Sequence, residues 1–360
     1  MTFTPDLLSR CISCGFCLPA CPTYELTKDE RSSPRGRIAL MRALETGTLP
    51  MNDPGIAEES SFCLGCRACE VVCPAGVEYG QLLEEWRDAT WRGRHRPVVV
   101  RALLRAVDRT WKVRLLGLFR RHARRRTGGS ASLMLGCFER FLYPKVSRSA
   151  VALDPRLGVD PGQGCCGALH AHNGEQAEGR ALARKLGERL SGTIVTTSGG
   201  CAAHLADVLG RDRVVELSAW LSGPASAAGA ALPGPAGPLL VDGRPARIGL
   251  QDSCHLRNGL GVWREPRAIL AALGEYVEVP GAASCCGAAG TYALVRPEDS
   301  AKVVAPKVDA LRRLDLDILV TVNPGCTRQL QTAVRKAGLR TRVVHLAELA
   351  ASAQTGGSGR

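Results

Sequence analysis

The sequence predicts a mixed fold: an α-helical domain at the amino end, followed by two repeated α/β cysteine-rich domains. Three observations predict it. A run of four cysteines with fixed spacing occurs twice in the first 75 residues. From Ser132 onward a second pattern repeats, in which β-branched runs alternate with helical text and lead into cysteines. Between the copies of that pattern lies Gly223 to Pro238, half of it Gly or Pro, the composition of a linker.

The six pieces expected are residues 1–90, a helical cysteine domain; 91–128, a basic amphipathic linker; 129–222, the first cysteine-rich copy; 223–245, a Gly/Pro/Ala-rich linker; 246–350, the second copy; and 351–360, a flexible tail. In the first piece Ser33 can cap a helix, Pro34 suits its first position, and Ile38, Leu40, Met41 and Leu44 give it an apolar face before Gly47. In the second, Val100, Leu103, Leu104, Val107, Trp111, Leu115 and Leu118 recur at helical spacing, with Arg101, Arg105 and Lys112 on other faces.

Charge and composition exclude several function classes. The chain of 360 residues carries a net charge of +13, yet thirteen Lys or Arg against the single acid Asp108 between Arg92 and Arg126 account for +12 of it. Aromatic residues are only 4%, too few for a base-stacking platform, so nucleic acid is not an expected partner. No run approaches the ~18 apolar residues of a membrane span. Met1 to Arg10 lacks the charged start and apolar core of a signal peptide. The expected location is cytoplasmic, or peripheral on the cytoplasmic membrane face. In such a compartment sixteen cysteines stay reduced and are expected to hold metal rather than form disulfides.

Cys11-x2-Cys14-x2-Cys17-x3-Cys21-Pro22 recurs as Cys63-x2-Cys66-x2-Cys69-x3-Cys73-Pro74. Three thiolates at i, i+3 and i+6 wrap one face of an iron–sulfur cube, and the fourth, before proline, serves the other cluster. One [4Fe–4S] cluster then takes Cys11, Cys14, Cys17 and Cys73, and a second takes Cys63, Cys66, Cys69 and Cys21. Structural zinc, the competing reading, usually draws cysteines in C-x2-C pairs. Gly15 and Gly65 inside the loops let backbone amides approach the sulfides. The 41 residues between Cys21 and Cys63 include the Pro34 helix, so the domain is a helical, expanded two-cluster ferredoxin. Arg35 and Arg37 open that helix, where each either offsets cluster charge or is simply solvated.

The other eight cysteines all fall in register within the repeat: Cys137, Cys165, Cys166 and Cys201, then Cys254, Cys285, Cys286 and Cys326. Within the copies, Thr193–Thr197 runs into Gly200-Cys201 and Ile318–Val322 runs into Gly325-Cys326, the pattern of βαβ units with cysteines at the strand ends. A thiolate-rich site closed from three segments is expected in each copy. The residues leave its occupant open between an additional iron–sulfur centre and another metal.

The text Cys11–Leu26, Ser33–Ala43 and Cys63–Glu84 resembles the iron–sulfur subunit of bacterial glycolate oxidase. The repeat is similar to the "CCG" cysteine-rich domain that this subunit shares with heterodisulfide reductases, including the motif Asp252-Ser253-Cys254-His255-Leu256. The resemblance departs at one place. The full CCG motif has a fifth cysteine, where this chain has His204 and Gln329; this counts against the noncubane cluster and disulfide reduction. His204 and His255 are then either nitrogen ligands or hydrogen-bonding residues.

The resemblance implies an oxidoreductase component with no catalytic residues of its own. Its partner would be an FAD-containing glycolate or D-lactate dehydrogenase subunit, and its acceptor a quinone. The basic segment 92–126 would either meet anionic lipid or an acidic partner, or be a solvated connector. The alternatives are an electron-transfer subunit of the anaerobic glycerol-3-phosphate dehydrogenase or heterodisulfide reductase kind.

Overall fold

Proline sets the starts of the amino-terminal helices. The computed structural model describes residues 2–91, 96–108, 123, 125–223 and 238–354. Its first part holds helices Pro5–Ser9, Pro22–Thr27, Pro34–Glu45, Pro54–Phe62, Ala68–Val71 and Tyr79–Trp91. Four of these begin with proline, whose fixed φ and missing N–H suit a first helical position. The expected cap is present: Ser33 Oγ accepts from Gly36 N at 2.9 Å. Met41, Ile56, Leu82 and Trp86 are fully buried where the longer helices meet, and Cys63 and Cys69 border the same core. A further helix, Val98–Asp108, lies in the basic segment; most of that segment's expected helix, and nearly all of the Gly223–Pro238 linker, fall outside the described residues.

Each copy of the repeat builds a four-stranded parallel sheet. In the first, β1 (Ala131–Met134), β2 (Leu157–Gly158), β3 (Thr193–Thr196) and β4 (Val214–Glu216) lie in the order β2-β1-β3-β4. A short antiparallel hairpin, β5 (Leu240–Val241) with β6 (Arg244–Pro245), then occupies residues that composition alone assigns to the linker. It forms because Leu239 is buried and ties in through backbone bonds to Leu273 and Ala246. In the second sheet, β7 (Arg247–Gln251), β8 (Glu275–Tyr276), β9 (Ile318–Thr321) and β10 (Arg342–His345) lie as β8-β7-β9-β10, the same order. Helices cover both faces, so the inner strands are mostly buried; β9 is buried at all four residues.

The copies pack reciprocally. Helix Pro144–Leu153 lies on Leu346–Gln354, and its counterpart Arg264–Leu273 lies on Leu217–Ser222. One core joins them, with Leu153, Leu217, Leu270 and Leu346 in it. Ser198 and Asn323, each two residues past the end of β3 or β9, meet between the copies, Ser198 Oγ to Asn323 Oδ1 at 2.9 Å. The repeat is therefore pseudo-twofold.

Candidate metal centres

The two ferredoxin-type motifs are interleaved. Cys11, Cys14, Cys17 and Cys73 line one hollow together with Ile12, Phe16 and Ile38. Cys21, Cys63 and Cys66 line a second with Leu64 and Arg37, and Cys69 borders both. The loops turn at glycines with positive φ, +85° at Gly15 and +62° at Gly65, and Gly65 N lies 3.4 Å from Cys63 Sγ. The first hollow is at the surface, with Cys14 exposed; the cysteines of the second are all buried. Burial pushes the Cys66 and Cys69 thiols well above their ordinary range, so these sulfurs become thiolates only when a positive partner takes up the charge. Among the described residues no three His, Cys, Asp or Glu converge tightly enough for a single metal ion.

The structure separates the two arginines. Arg35 stays near the surface and pairs with Glu30 at 2.7 Å. Arg37 is fully buried beside the second hollow, paired with Glu59 at 3.0 Å and donating to Thr23 Oγ1 at 3.0 Å. Burial opposes its charge, but Cys63, Tyr79, Cys21 and Glu59 outweigh burial and hold its pKa above the ordinary value. Thr23 Oγ1 in turn lies 3.2 Å from Cys21 Sγ.

The CCG cysteines come together copy by copy. Cys137 and Cys254 each follow the first strand of their sheet by three residues, and Cys201 and Cys326 follow β3 and β9 by five. Cys165 Sγ is 4.0 Å from Cys137 Sγ, and Cys166 Sγ is 3.1 Å from Cys201 Sγ. In the second copy Cys286 Sγ is likewise 3.1 Å from Cys326 Sγ. The adjacent cysteines are held by a glycine turn, φ +84° at Gly167 and +83° at Gly287, whose N–H points at the sulfur of the first cysteine of the pair, Cys165 or Cys285, at 3.4 Å in both copies. Hydrogen bonds from Cys137, Cys166 and Gly167 pull the Cys165 thiol well down. In the second copy Cys254 and Cys286 are pushed up, Cys254 chiefly by its hydrogen bond to Cys285 and then by burial.

The two fifth positions have a shared role. His204 Nε2 bonds Gly179 O at 3.2 Å. Gln329 Nε2 donates to Ser300 Oγ at 2.9 Å, and Ser300 Oγ donates to Gly287 O at 2.9 Å. Each thus ties the cysteine-bearing helix to the helix behind the Cys-Cys-Gly turn. His255 is different: its Nδ1 lies 3.6 Å from Cys254 Sγ. Burial, with His172 and Arg67 nearby, lowers its pKa to about 3, so its ring is neutral.

Sequence reading missed Lys307. It is buried beside Cys285, Cys286 and Cys326, with Nζ donating to Gly281 O at 2.5 Å. Its signal was positional: Ser300, Val304, Lys307 and Leu311 form the inward stripe of helix Pro297–Leu314.

The ferredoxin part docks on the repeat through charged and apolar contacts. Arg67 pairs with Asp207 at 3.0 Å, Arg296 with Glu58 at 2.7 Å, and Asn258 Nδ2 donates to Cys66 O at 2.8 Å. Phe62, Leu64, Cys66, Cys285 and Tyr292 form one buried cluster, with Cys254 packed against it. The inner ferredoxin hollow and the second CCG site are therefore neighbours.

Comparison with known proteins agrees with this architecture. A 4Fe-4S dicluster domain model matches residues 7–77, and a cysteine-rich domain model matches residues 131–206 and 248–331. The probable glycolate oxidase iron–sulfur subunit of Bacillus subtilis (strain 168) is 33% identical over 95% of this chain and 93% of its own length. The glycolate oxidase iron–sulfur subunit of Escherichia coli (strain K12) is 30% identical over 96% and 93%. The chain belongs to the glycolate oxidase iron–sulfur subunit family. A subunit of the fumarate reductase (CoM/CoB) of Methanothermobacter marburgensis, a more distant relative, is 25% identical over 95% of this chain and 71% of its own. Membership in the glycolate oxidase iron–sulfur subunit family makes this an iron–sulfur protein of the oxidoreductases, with one ferredoxin-type and two CCG segments. Among the described residues no helix is long and apolar enough to cross a membrane.

Proposed function

We propose that this chain is the iron–sulfur electron-transfer subunit of a glycolate, or D-lactate, dehydrogenase complex. An FAD-bearing partner would oxidise the 2-hydroxy acid, and this chain would pass the electrons toward a quinone. Cys11, Cys14, Cys17 and Cys73 would hold an outer [4Fe–4S] cluster, and Cys21, Cys63, Cys66 and Cys69 an inner one. Such clusters, when bound, supply one-electron carriers that divide the two electrons of a reduced flavin. The protein's part is to place and tune them. Exposed Cys14 leaves the outer site open to a partner, and Arg37 sets positive charge beside the inner one. The CCG cysteines would hold a further metal centre, with Lys307 offsetting charge in the second copy.

The observation that carries this reading is the shared burial of Cys66 and Cys285, with Cys254 against them. It supports a continuous series from the surface hollow through the inner hollow to the CCG site. The basic segment 92–126 would rest on anionic lipid near the acceptor, on the cytoplasmic face. Binding to anionic vesicles at low salt should then be lost on deleting it.

The test of the main reading is iron and acid-labile sulfide per chain after anaerobic purification, with EPR before and after dithionite. About eight irons would fill the two ferredoxin-type sites, and clearly more would place clusters in the repeat too. Zinc without labile sulfide would overturn the proposal.

A further inference from the structure

A cleft of about 1160 Å³ including its mouth opens where the ferredoxin part and both CCG copies meet. Three imidazoles converge on it from three places. His204 lies one helical turn past Cys201, His255 is next to Cys254, and His172 follows the first Cys-Cys-Gly turn. Their rings are in contact: His172 and His255 are 5.0 Å apart and inclined by 36°, while His172 and His204 meet edge to face at 6.3 Å. Leu83, Val208 and Ala289 supply apolar wall between them.

His172 is held in a defined orientation. Its Nδ1 donates to Glu84 Oε1 at 2.8 Å, and Arg87 Nη1 donates to its carbonyl at 3.0 Å. Burial would raise the Glu84 carboxyl, but the bond from His172 and the charge of His172 and His204 bring it down to about 2, so it is a fixed acceptor. Nε2 of His172 is then left buried with no hydrogen-bond partner among the described residues. A buried polar atom in that state is costly unless a ligand satisfies it. Arg180 also lines the cleft, half-exposed, and among the described residues no ion pair holds its guanidinium.

The charge balance selects the ligand class. Arg67, Arg87 and Arg180 face Glu78, Glu84 and Asp207, so the cleft has no net field for a dianion. Arg67 is already committed to Glu70 and Asp207. Flat imidazole and apolar walls, with isolated donors at separate points, fit instead a planar, uncharged ring carrying carbonyl oxygens. Metal centres deliver electrons without protons, and an organic carbonyl acceptor needs both.

We propose that this three-histidine cleft binds a quinone-class acceptor, with one carbonyl oxygen at His172 Nε2 and the ring against His255. The inference rests on the electron-transfer reading above and adds the place where that transfer ends. Reduction is balanced as follows: two electrons come from the reduced protein, and each carbonyl oxygen takes one proton to become a hydroxyl. Both protons come from solvent at the cleft mouth, one of them handed on through His172 Nε2 while Glu84 keeps hold of Nδ1. Arg180 positions the ring from the mouth.

The test is calorimetric binding of menadione, a soluble naphthoquinone, to the oxidised full-length chain, with no turnover required. His172→Gln and Arg180→Ala should each weaken binding at least tenfold, while Arg340→Ala, on a distant exposed ion pair, should leave it unchanged. Arg180→Ala removes a side chain at the half-exposed mouth, so misfolding does not explain its loss. Equal binding by all four proteins overturns the site. Displacement of menadione by millimolar oxalate would also overturn it, because it would make the cleft an anion site. Iron and sulfide analysis of the same samples separates the two claims: protein without clusters that still binds menadione through His172 would refute the electron-transfer reading and leave the cleft standing.

Discussion

Glu216 and His345 occupy the same position in the two CCG copies and do the same work with opposite chemistry. Each ends the last strand of its sheet and accepts a hydrogen bond from the backbone N–H two residues on. The bond is Ser218 N to the Glu216 carboxyl at 2.8 Å, and Ala347 N to His345 Nδ1 at 3.1 Å. Because Nδ1 accepts, His345 Nε2 carries the proton and donates to Thr197 O at 2.8 Å, across to the other copy. Both side chains are buried.

These two caps should give opposing pH dependences. Burial raises the Glu216 carboxyl to about 7 and lowers the His345 imidazole to about 4. Between the unfolded carboxyl value and about 7, folded Glu216 keeps a proton that the unfolded chain has lost, so its contribution falls as pH rises. Between about 4 and the unfolded imidazole value, folded His345 lacks a proton that the unfolded chain holds, so its contribution rises with pH. In the native chain the two largely cancel near pH 5–6. Glu216→Gln should gain stability over the native chain by about 3 kcal/mol on going from pH 4.5 to 7. His345→Gln should gain a similar amount on going from pH 7 to 4. Urea unfolding at four pH values measures both, and parallel curves for variant and native chain would refute the assignment.

Such caps show where sequence reading stops. Regular cysteine spacing made the two ferredoxin-type sets legible as groups of thiols, and the register of the repeat did the same for the two CCG sets. The helix at Pro34 was legible from its cap and its apolar spacing, and the repeat was legible from its strand runs. What stayed hidden depends on contacts between distant segments. Arg37 and Arg35 lie two residues apart in sequence, yet one is fully buried against Glu59 and the other half-exposed in a pair with Glu30. His172, Glu84 and Arg87 carried no local signal, since their meeting requires the ferredoxin part to be docked on the first copy.

The Cys-Cys-Gly turns should tolerate a methyl group unequally. A Cβ at Gly167 would overlap the Gly179 carbonyl oxygen, whereas at Gly287 it would lie 2.8 Å from Ser300 O. Both positions have positive φ, which alone costs a side chain about 1–2 kcal/mol. Gly167→Ala should therefore destabilise by about 3 kcal/mol or more and spread the Cys165–Cys166 pair. Gly287→Ala should cost roughly half as much. Thermal unfolding of the two variants side by side checks the order, and a larger loss for Gly287→Ala would contradict the geometry.

Arg37 should matter for both stability and redox tuning. Replacing it with Gln leaves Glu59 buried without its cation, a change that typically costs about 3–5 kcal/mol. It also removes a buried positive charge that interacts with Cys63 and Cys21, so the inner centre should become harder to reduce. Arg35→Gln, at a surface pair, should cost less than about 1 kcal/mol. Potentiometric EPR titration of each variant separates the effects: only Arg37→Gln should move the lower-exposure centre. An unchanged potential with reduced stability would confine Arg37 to a structural role.

Exchange of the fourth ligand between motifs can be read by how fast iron is lost. If Cys73 belongs with Cys11, Cys14 and Cys17, as the lining of the outer hollow supports, Cys73→Ser should damage the surface centre and spare the buried one. Cys21→Ser should do the reverse, because Cys21 borders the hollow of Cys63 and Cys66. Exposed Cys14 makes the outer centre the one that a chelator strips first from the native chain. In Cys73→Ser that fast phase, about half of the eight irons, should vanish while the slow phase remains. In Cys21→Ser the slow phase should vanish instead. The opposite assignment of phases would mean that each motif keeps its own fourth cysteine.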